Sequence, residues 1–86
     1  MAIIFANDAR WDFDRDCVKF HADDDGRLVL CLVSLEALQD HFGGSHSSDA
    51  AVRTYADNRA EIEQKAREKI AANAGAGSIL LTSSDF

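Results

Sequence analysis

Residues 17–34, CVKFHADDDGRLVLCLVS, contain two apolar-rich runs on either side of three aspartates and a glycine. Residues 18–22 alternate apolar and polar side chains, and residues 28–33 are continuously apolar. Both patterns are typical of β-strands, whose successive side chains point to opposite faces of a sheet. We predict strands at residues 17–22 and 27–34. The turn between them occupies residues 23–26, where Gly26 can adopt a positive φ. The segment is therefore predicted to form a β-hairpin.

The predicted hairpin has two different faces. A four-residue turn places Phe20 opposite Val29 and Val18 opposite Cys31. One face is uniformly apolar and is predicted to form the core, with Val18, Phe20, Ala22, Val29, Cys31 and Val33. The other face is mixed and carries Cys17, Lys19, His21, Leu28, Leu30 and Leu32. Its three leucines need cover from another element or another subunit, so we expect self-association through Leu28, Leu30 and Leu32.

Shorter patterns predict the remaining small elements. They are a strand at residues 3–5, an aspartate-rich loop at residues 6–16 that contains Trp11 and Phe13, a helix at residues 35–42 capped by Ser34 and ended at Gly43, and a strand at residues 78–82. Every one of these segments is short, so the fold depends on how they pack against the hairpin.

The longest predicted helix covers residues 48–73 and carries an arginine on its apolar stripe. At about 100° per residue, one face of this helix holds Val52, Tyr55, Ala56, Ile62, Ala66 and Ile70. Arg59 points in the same direction. An arginine that faces a core must be paired and hydrogen-bonded or must line a cleft, because an unpaired buried charge is costly.

Together these elements predict an α+β fold in a single domain covering residues 1–86. The element order is β-β-β-α-α-β. The simplest arrangement is a two-layer domain, in which a small antiparallel sheet has both helices packed on one face. A chain of 86 residues lies near the small end of domains that fold without disulfides or metals.

The charge balance narrows the classes of partner. The chain has 9 basic and 15 acidic residues and a formal net charge of −6. We therefore expect neither nucleic acid nor an anionic membrane as a partner, because both present dense negative charge. No apolar run approaches the roughly 18 residues of a membrane span, and the N-terminus does not resemble a signal peptide. A cytoplasmic protein with reduced cysteines is expected.

The sequence contains no recognised catalytic or cofactor-binding motif. The histidine spacing does not fit a zinc site, and the alternating aspartates at residues 12–16 do not fit a calcium loop. The glycine-containing connection at residues 43–48 lacks the lysine of a phosphate-binding loop. We therefore expect no catalytic residue, metal or cofactor. Cys17 is the candidate reactive thiol, and it points away from Cys31, which argues against a disulfide.

Arg59 and Trp11 have two interpretations. In the first, Arg59 ties the long helix to an aspartate or carbonyl of the N-terminal loop or pairs with Glu63, and Trp11 fills the core. In the second, Arg59 anchors an anion at the floor of a pocket, Trp11 forms a stacking wall and Cys17 lies nearby. We favour the first, because most embedded arginines in small domains serve packing and pairing.

Two runs carry a resemblance to a known family, residues 31–38 and residues 58–66. Further matching residues are Ile3, Phe5, Trp11, Val18, Phe20, Gly26, Leu28 and Phe42. On these residues the chain resembles a small bacterial family, the YrdB-like domain of unknown function (DUF-1488), over nearly its whole length. The resemblance implies a compact cytoplasmic α+β domain with no assigned activity and no known cofactor. It places Trp11, Cys31 and Arg59 in the recurring pattern and supplies no catalytic residue.

The leading hypothesis is a non-enzymatic interaction or accessory module, which binds an unknown protein partner or a second copy of itself. It rests on the missing catalytic motifs, the acidic surface and the leucine-bearing face of the hairpin. The alternative is a small anionic-ligand binder or minor enzyme with a pocket near Arg59 and Trp11.

Overall fold

The computed structural model describes residues 3–43 and 47–86, and its fold is α+β, as predicted. Within those residues, a five-stranded sheet carries three α-helices on one face. The elements are β1 (Ile3–Phe5), β2 (Arg10–Asp12), β3 (Cys17–Asp24), β4 (Arg27–Ser34), α1 (Leu35–Phe42), α2 (Ser48–Asp57), α3 (Arg59–Ala72), β5 (Ser78–Leu81) and a 3₁₀ turn (Ser83–Asp85). Part of the predicted connection at residues 43–48 lies outside the described residues.

The turn of the β3–β4 hairpin is tighter than predicted. Asp24 pairs with Arg27, so that only Asp25 and Gly26 lie between the strands. These two residues have φ values of 58° and 91°. A type I′ turn requires positive φ at both central positions, and Asp-Gly is among the sequences that favour it. The predicted four-residue turn is therefore wrong, because the Asp-Gly pair closes the hairpin by itself.

The predicted strand register is wrong by two residues. Phe20 lies opposite Cys31 rather than Val29, and Val18 lies opposite Val33 rather than Cys31. A shift of two leaves each side chain on its predicted face, because side-chain direction along a strand repeats every two residues. The core face is therefore confirmed, with 0% exposure for Val18, Phe20, Ala22, Val29, Cys31 and Val33.

The segment predicted as an N-terminal loop contains β2. Both β1 and β2 pair with the same edge of β3. Between them, the Ala6 N–H donates to the His21 carbonyl at 2.9 Å, and the Asp8 carboxylate accepts from the His21 N–H at 3.1 Å. The Asp8 side chain thus supplies an acceptor where the strand pairing is interrupted, and the His21 backbone stays hydrogen-bonded.

The sheet is mixed rather than antiparallel. β5 pairs with β4 in the parallel direction, with Leu80 opposite Leu32. The Leu30 N–H also donates to the Gly77 carbonyl at 3.0 Å. The prediction of an antiparallel sheet is wrong at this edge, because the helical segment between β4 and β5 is a crossover connection, which returns the chain in the same direction.

The predicted helix at residues 48–73 is interrupted at Asn58, so the described chain has three α-helices where two were predicted. Asn58 has φ −121° and ψ 24°, outside the helical range. Its side-chain amide donates to the Thr54 carbonyl at 2.9 Å, and asparagine disfavours helix interiors because it competes for backbone groups in this way. No helix in the described part of the chain is long and apolar enough to cross a membrane.

The helices pack on the core face of the sheet. Their buried side chains are Ala37 and Leu38 from α1, Ala51 and Tyr55 from α2, and Ile62, Ala66 and Ile70 from α3. Phe20 lies at the centre, with its ring centroid 4.9 Å from that of Tyr55 and 6.0 Å from that of Phe5. Ala56, predicted on the same helix stripe, is exposed, because it lies on the part of α2 that faces an open space beside β2.

Replacement of Gly26 by alanine tests the two-residue turn. Alanine is strained at positive φ, by roughly 1–2 kcal/mol, so Gly26→Ala is expected to lower the free energy of unfolding by about that amount. Gly77→Ala is the matched control, because Gly77 has no left-handed φ and no atom within 4 Å of an added Cβ. Urea unfolding measures both variants, and equal stabilities would contradict the observed turn.

Candidate functional site

Arg59 begins α3 and ties that helix to the N-terminal segment. Its Nε pairs with the Glu63 carboxylate, and its Nη1 donates to Asn7 Oδ1 at 2.9 Å. The hydrogen bond to Glu63, together with the charge of that carboxylate, raises the pKa of Arg59. The side chain is 37% exposed, because the interruption at Asn58 removes it from a continuous buried stripe. Its partner in the N-terminal segment is an asparagine, where an aspartate or a carbonyl was expected.

Trp11 lies on β2 and faces both the core and solvent. It is partly buried and packs against the hydrophobic core. Its ring also meets Phe13 edge-on, with centroids 6.4 Å apart and ring planes at 84°. Phe13 is 80% exposed. Trp11 therefore closes one side of the core and presents part of its ring, together with Phe13, at the surface.

An open groove separates β2 from α2 and has a volume of about 720 Å³. Its apolar lining consists of Ala9, Trp11, Phe13, Val52 and Ala56. Its polar lining consists of Arg10, Ser48, Asp49 and Arg53. These residues form the Trp11 groove. Neither Arg59 nor Cys17 is among the described residues that line this groove. The three predicted site residues, Trp11, Arg59 and Cys17, therefore do not line one common groove. The sequence patterns did not indicate Arg10 and Arg53 as site residues, because β2 forms one wall of the groove and was not predicted.

Cys17 is a buried thiol at the start of β3. It is 4% exposed, and its Sγ donates to the Arg15 carbonyl at 3.0 Å. Burial raises the pKa of Cys17, and the charges of Asp12 and Asp16 raise it further. Cys31 faces the core, where burial raises its pKa to about 12. Both cysteines are free, and a raised pKa keeps each thiol in its protonated, weakly nucleophilic form.

Each described histidine has a carboxylate partner. His21 Nδ1 lies 2.6 Å from Asp8 Oδ2, and His41 Nε2 lies 2.6 Å from Glu61 Oε2. Within residues 3–43 and 47–86, no three His, Cys, Asp or Glu side chains are grouped so that they could hold a metal ion. These histidines instead connect elements of the fold: His21 joins β3 to the N-terminal segment, and His41 joins α1 to α3. His46 lies outside the described residues.

The face of the sheet opposite the helices presents apolar side chains from three strands. The exposed ones are Ile4 at 66%, Leu28 at 67% and Leu80 at 42%. Leu30 is partly buried, and Leu32 is only 8% exposed. The open face is therefore defined as Ile4, Leu28, Leu30, Leu32 and Leu80. Two of the three predicted leucines remain accessible, and the alternation within β5 could have identified Leu80 from sequence.

Opposite charges flank the open face. At the turn end, Asp23 lies between Ile4 and Leu28 in the strand register. Towards the other end, Lys19 lies between Leu32 on β4 and Arg10 on β2. The open face therefore has an acidic end and a basic end. Between them lie His21 on β3, which is paired with Asp8, and the apolar Leu30 opposite it on β4.

Comparisons with known proteins place these features in a family context. A family model described as "Protein of unknown function (DUF1488)" matches residues 3–81. The chain is also similar to a crystal structure, at 1.60 Å resolution, of a protein of unknown function from the DUF1488 family of Shewanella loihica PV-4. That likeness has a TM-score of 0.82 and 24% sequence identity, and it covers 92% of this chain and 90% of that chain. At this level of identity, the similarity shows that the two proteins share a fold and nothing more. No curated protein matches the chain.

Removal of the Arg59 side-chain contacts should have a modest effect on stability. Arg59→Met is expected to lower the free energy of unfolding by about 0.5–1 kcal/mol, because a partly exposed ion pair contributes little. Arg53→Met is the matched control, since Arg53 is exposed and forms no salt bridge with another described residue. Urea unfolding compares the two variants. If they were equally stable, the Arg59 contacts would contribute nothing to the fold.

Both cysteines should resist alkylation in the folded protein. At pH 8, below their raised pKa values, we expect each to react with iodoacetamide on the order of 100-fold more slowly than free cysteine. Unfolding in urea should restore the rate of the free thiol at both positions. Mass spectrometry of peptides follows each cysteine separately, and rapid alkylation of Cys17 in the native protein would identify it as a reactive thiol.

Proposed function

The chain belongs to the DUF1488 family, as predicted, and we propose that it is a non-enzymatic interaction module that self-associates through the open face. The observation that carries this proposal is the set of exposed apolar side chains on a regular sheet, above all Leu28 and Ile4. Monomeric proteins rarely expose contiguous apolar patches larger than a few hundred Å², and larger ones mark interaction sites. The open face presents exposed apolar side chains on β1, β4 and β5. The open face is therefore the surface on which the proposed function acts.

A second copy of this chain is the occupant that best fits the charges around the open face. When two open faces meet about a two-fold axis that reverses the strand direction, Asp23 of one copy approaches Lys19 of the other. The same contact is repeated on the other side of the axis. With the strands in the same direction, Asp23 would approach Asp23 and Lys19 would approach Lys19, and like charges repel. The charges thus support a dimer in which the strands of the two open faces run in opposite directions.

The chemistry of the described side chains supports binding rather than catalysis. A nucleophile needs a base within hydrogen-bonding distance. The Cys17 thiol instead donates to a backbone carbonyl, and the hydrogen bonds of His21 and His41 to described residues go to Asp8 and Glu61 rather than to a nucleophile. We also propose a cytoplasmic location, because two free thiols suit a reducing compartment. Nucleic acid and anionic membranes remain unfavourable partners at a net charge of −6.

Sedimentation velocity over a range of concentrations tests the dimer. The wild-type chain is expected to sediment as a dimer, and Leu28→Asp as a monomer with an unchanged free energy of unfolding, because Leu28 is 67% exposed. Phe13→Asp is the matched control. Phe13 is also an exposed apolar residue but lies outside the open face, so its replacement should leave association unchanged. A wild-type monomer at every concentration would overturn the proposal.

A charge exchange distinguishes the antiparallel arrangement from other uses of the same face. Lys19→Asp should raise the dimer dissociation constant about tenfold, since it brings two acids together. Adding Asp23→Lys to the same chain should recover most of that loss. If the double variant associated no better than Lys19→Asp alone, while both remained folded by circular dichroism, the antiparallel arrangement would be wrong.

A further inference from the structure

We propose that the Trp11 groove binds a small ligand that carries a planar apolar ring and an anionic group. The groove lies between β2 and α2, on the side of the sheet that carries the helices. Its Trp11 and α2 residues lie away from the open face, and Arg10, which is in register with Lys19 at the basic end of that face, lies on β2 between them. The inference therefore goes beyond the proposed self-association. Its volume of about 720 Å³ is within the range usual for small-molecule sites, about 300–1,000 Å³.

The apolar part of the groove suits a planar ring. Trp11 and Phe13 meet edge-on, which leaves ring faces and edges available to a third aromatic group, and aromatic pairs prefer such offset or edge contacts. Val52 and Ala56 form the opposite wall on α2. Phe13 is 80% exposed, so a ligand against it would remove apolar surface from water, which favours binding.

The arginines of the chain indicate the charge of the ligand. Four of the six have a partner among the described residues: Arg15 pairs with Asp12, Arg59 pairs with Glu63, Arg27 donates to a backbone carbonyl, and Arg67 lies over the Phe5 ring. Arg10 and Arg53 form no hydrogen bond or salt bridge with another described residue, and both line the groove.

Arg10 and Arg53 flank the groove from opposite walls. Arg10 lies on β2 and Arg53 on α2, and both are exposed. The acidic residue in the groove lining is Asp49. Asp8 interacts electrostatically with Arg10, but its carboxylate is hydrogen-bonded to His21. The groove is therefore locally cationic in a chain of net charge −6. Guanidinium groups bind carboxylate or phosphate oxygens well, because their N–H groups match two oxygens at once.

Trp11 is the only tryptophan in the chain, so its indole N–H resonance in a nitrogen–proton NMR spectrum reports directly on the groove. The probes are naphthoate, neutral naphthalenemethanol and acetate. Naphthoate is expected to shift the Trp11 resonance saturably, and each of the other two should bind at least about fivefold more weakly. The proposal would be overturned by equal binding of naphthoate and either other probe, or by no saturable shift.

Charge-matched variants locate the anion. Arg53→Gln and Arg10→Gln should each weaken naphthoate binding about fivefold and reduce its advantage over naphthalenemethanol. Lys65→Gln is the control, because it removes one positive charge from α3 outside the groove lining. It should leave naphthoate binding unchanged. Equal weakening by Lys65→Gln, or none by either arginine variant, would contradict the proposal. Since both arginines are exposed, these variants should fold, and urea unfolding verifies this.

Discussion

The pleat of β3 and β4 is the constraint on which the rest of the molecule depends. Side chains along these strands alternate between faces, so Val29, Cys31 and Val33 are buried while Leu28 and Leu30 point the other way. All the helices of the described chain pack against the core face, which carries Val29, Cys31 and Val33. The core and the open face are thus two consequences of the same alternation.

The interruption at Asn58 allows the helical segment to follow the core. A continuous helix over residues 48–73 would be about 39 Å long, at 1.5 Å per residue, whereas the longest dimension of the molecule is 35 Å. With the interruption, Tyr55 on α2 and Ile62 on α3 are both buried. The same interruption puts Arg59 at the start of a new helix, where it reaches Asn7.

The distribution of cations separates residues that maintain the fold from residues that are available for binding. Lys69 pairs with Asp85 in the C-terminal turn, as Arg59 pairs with Glu63 at the start of α3. Arg10 and Arg53 have no such role among the described residues, and they lie beside exposed aromatic surface. In an acidic protein, two guanidinium groups that form no hydrogen bond or salt bridge with another described residue, on opposite walls of one groove, are a feature that packing alone does not require.

The sequence by itself determined the features that depend on neighbours in the chain. The strand pattern at residues 17–34 predicted the core face, because side chains along a strand point alternately to its two faces. Ser34 caps α1, as predicted, by accepting from the Ala37 N–H at 3.0 Å. Only the tertiary structure decided the parallel pairing of β5, the strand β2 and the walls of the Trp11 groove. These depend on contacts between distant residues, as between Arg59 and Asn7, which are 52 positions apart, and no local periodicity encodes such a separation.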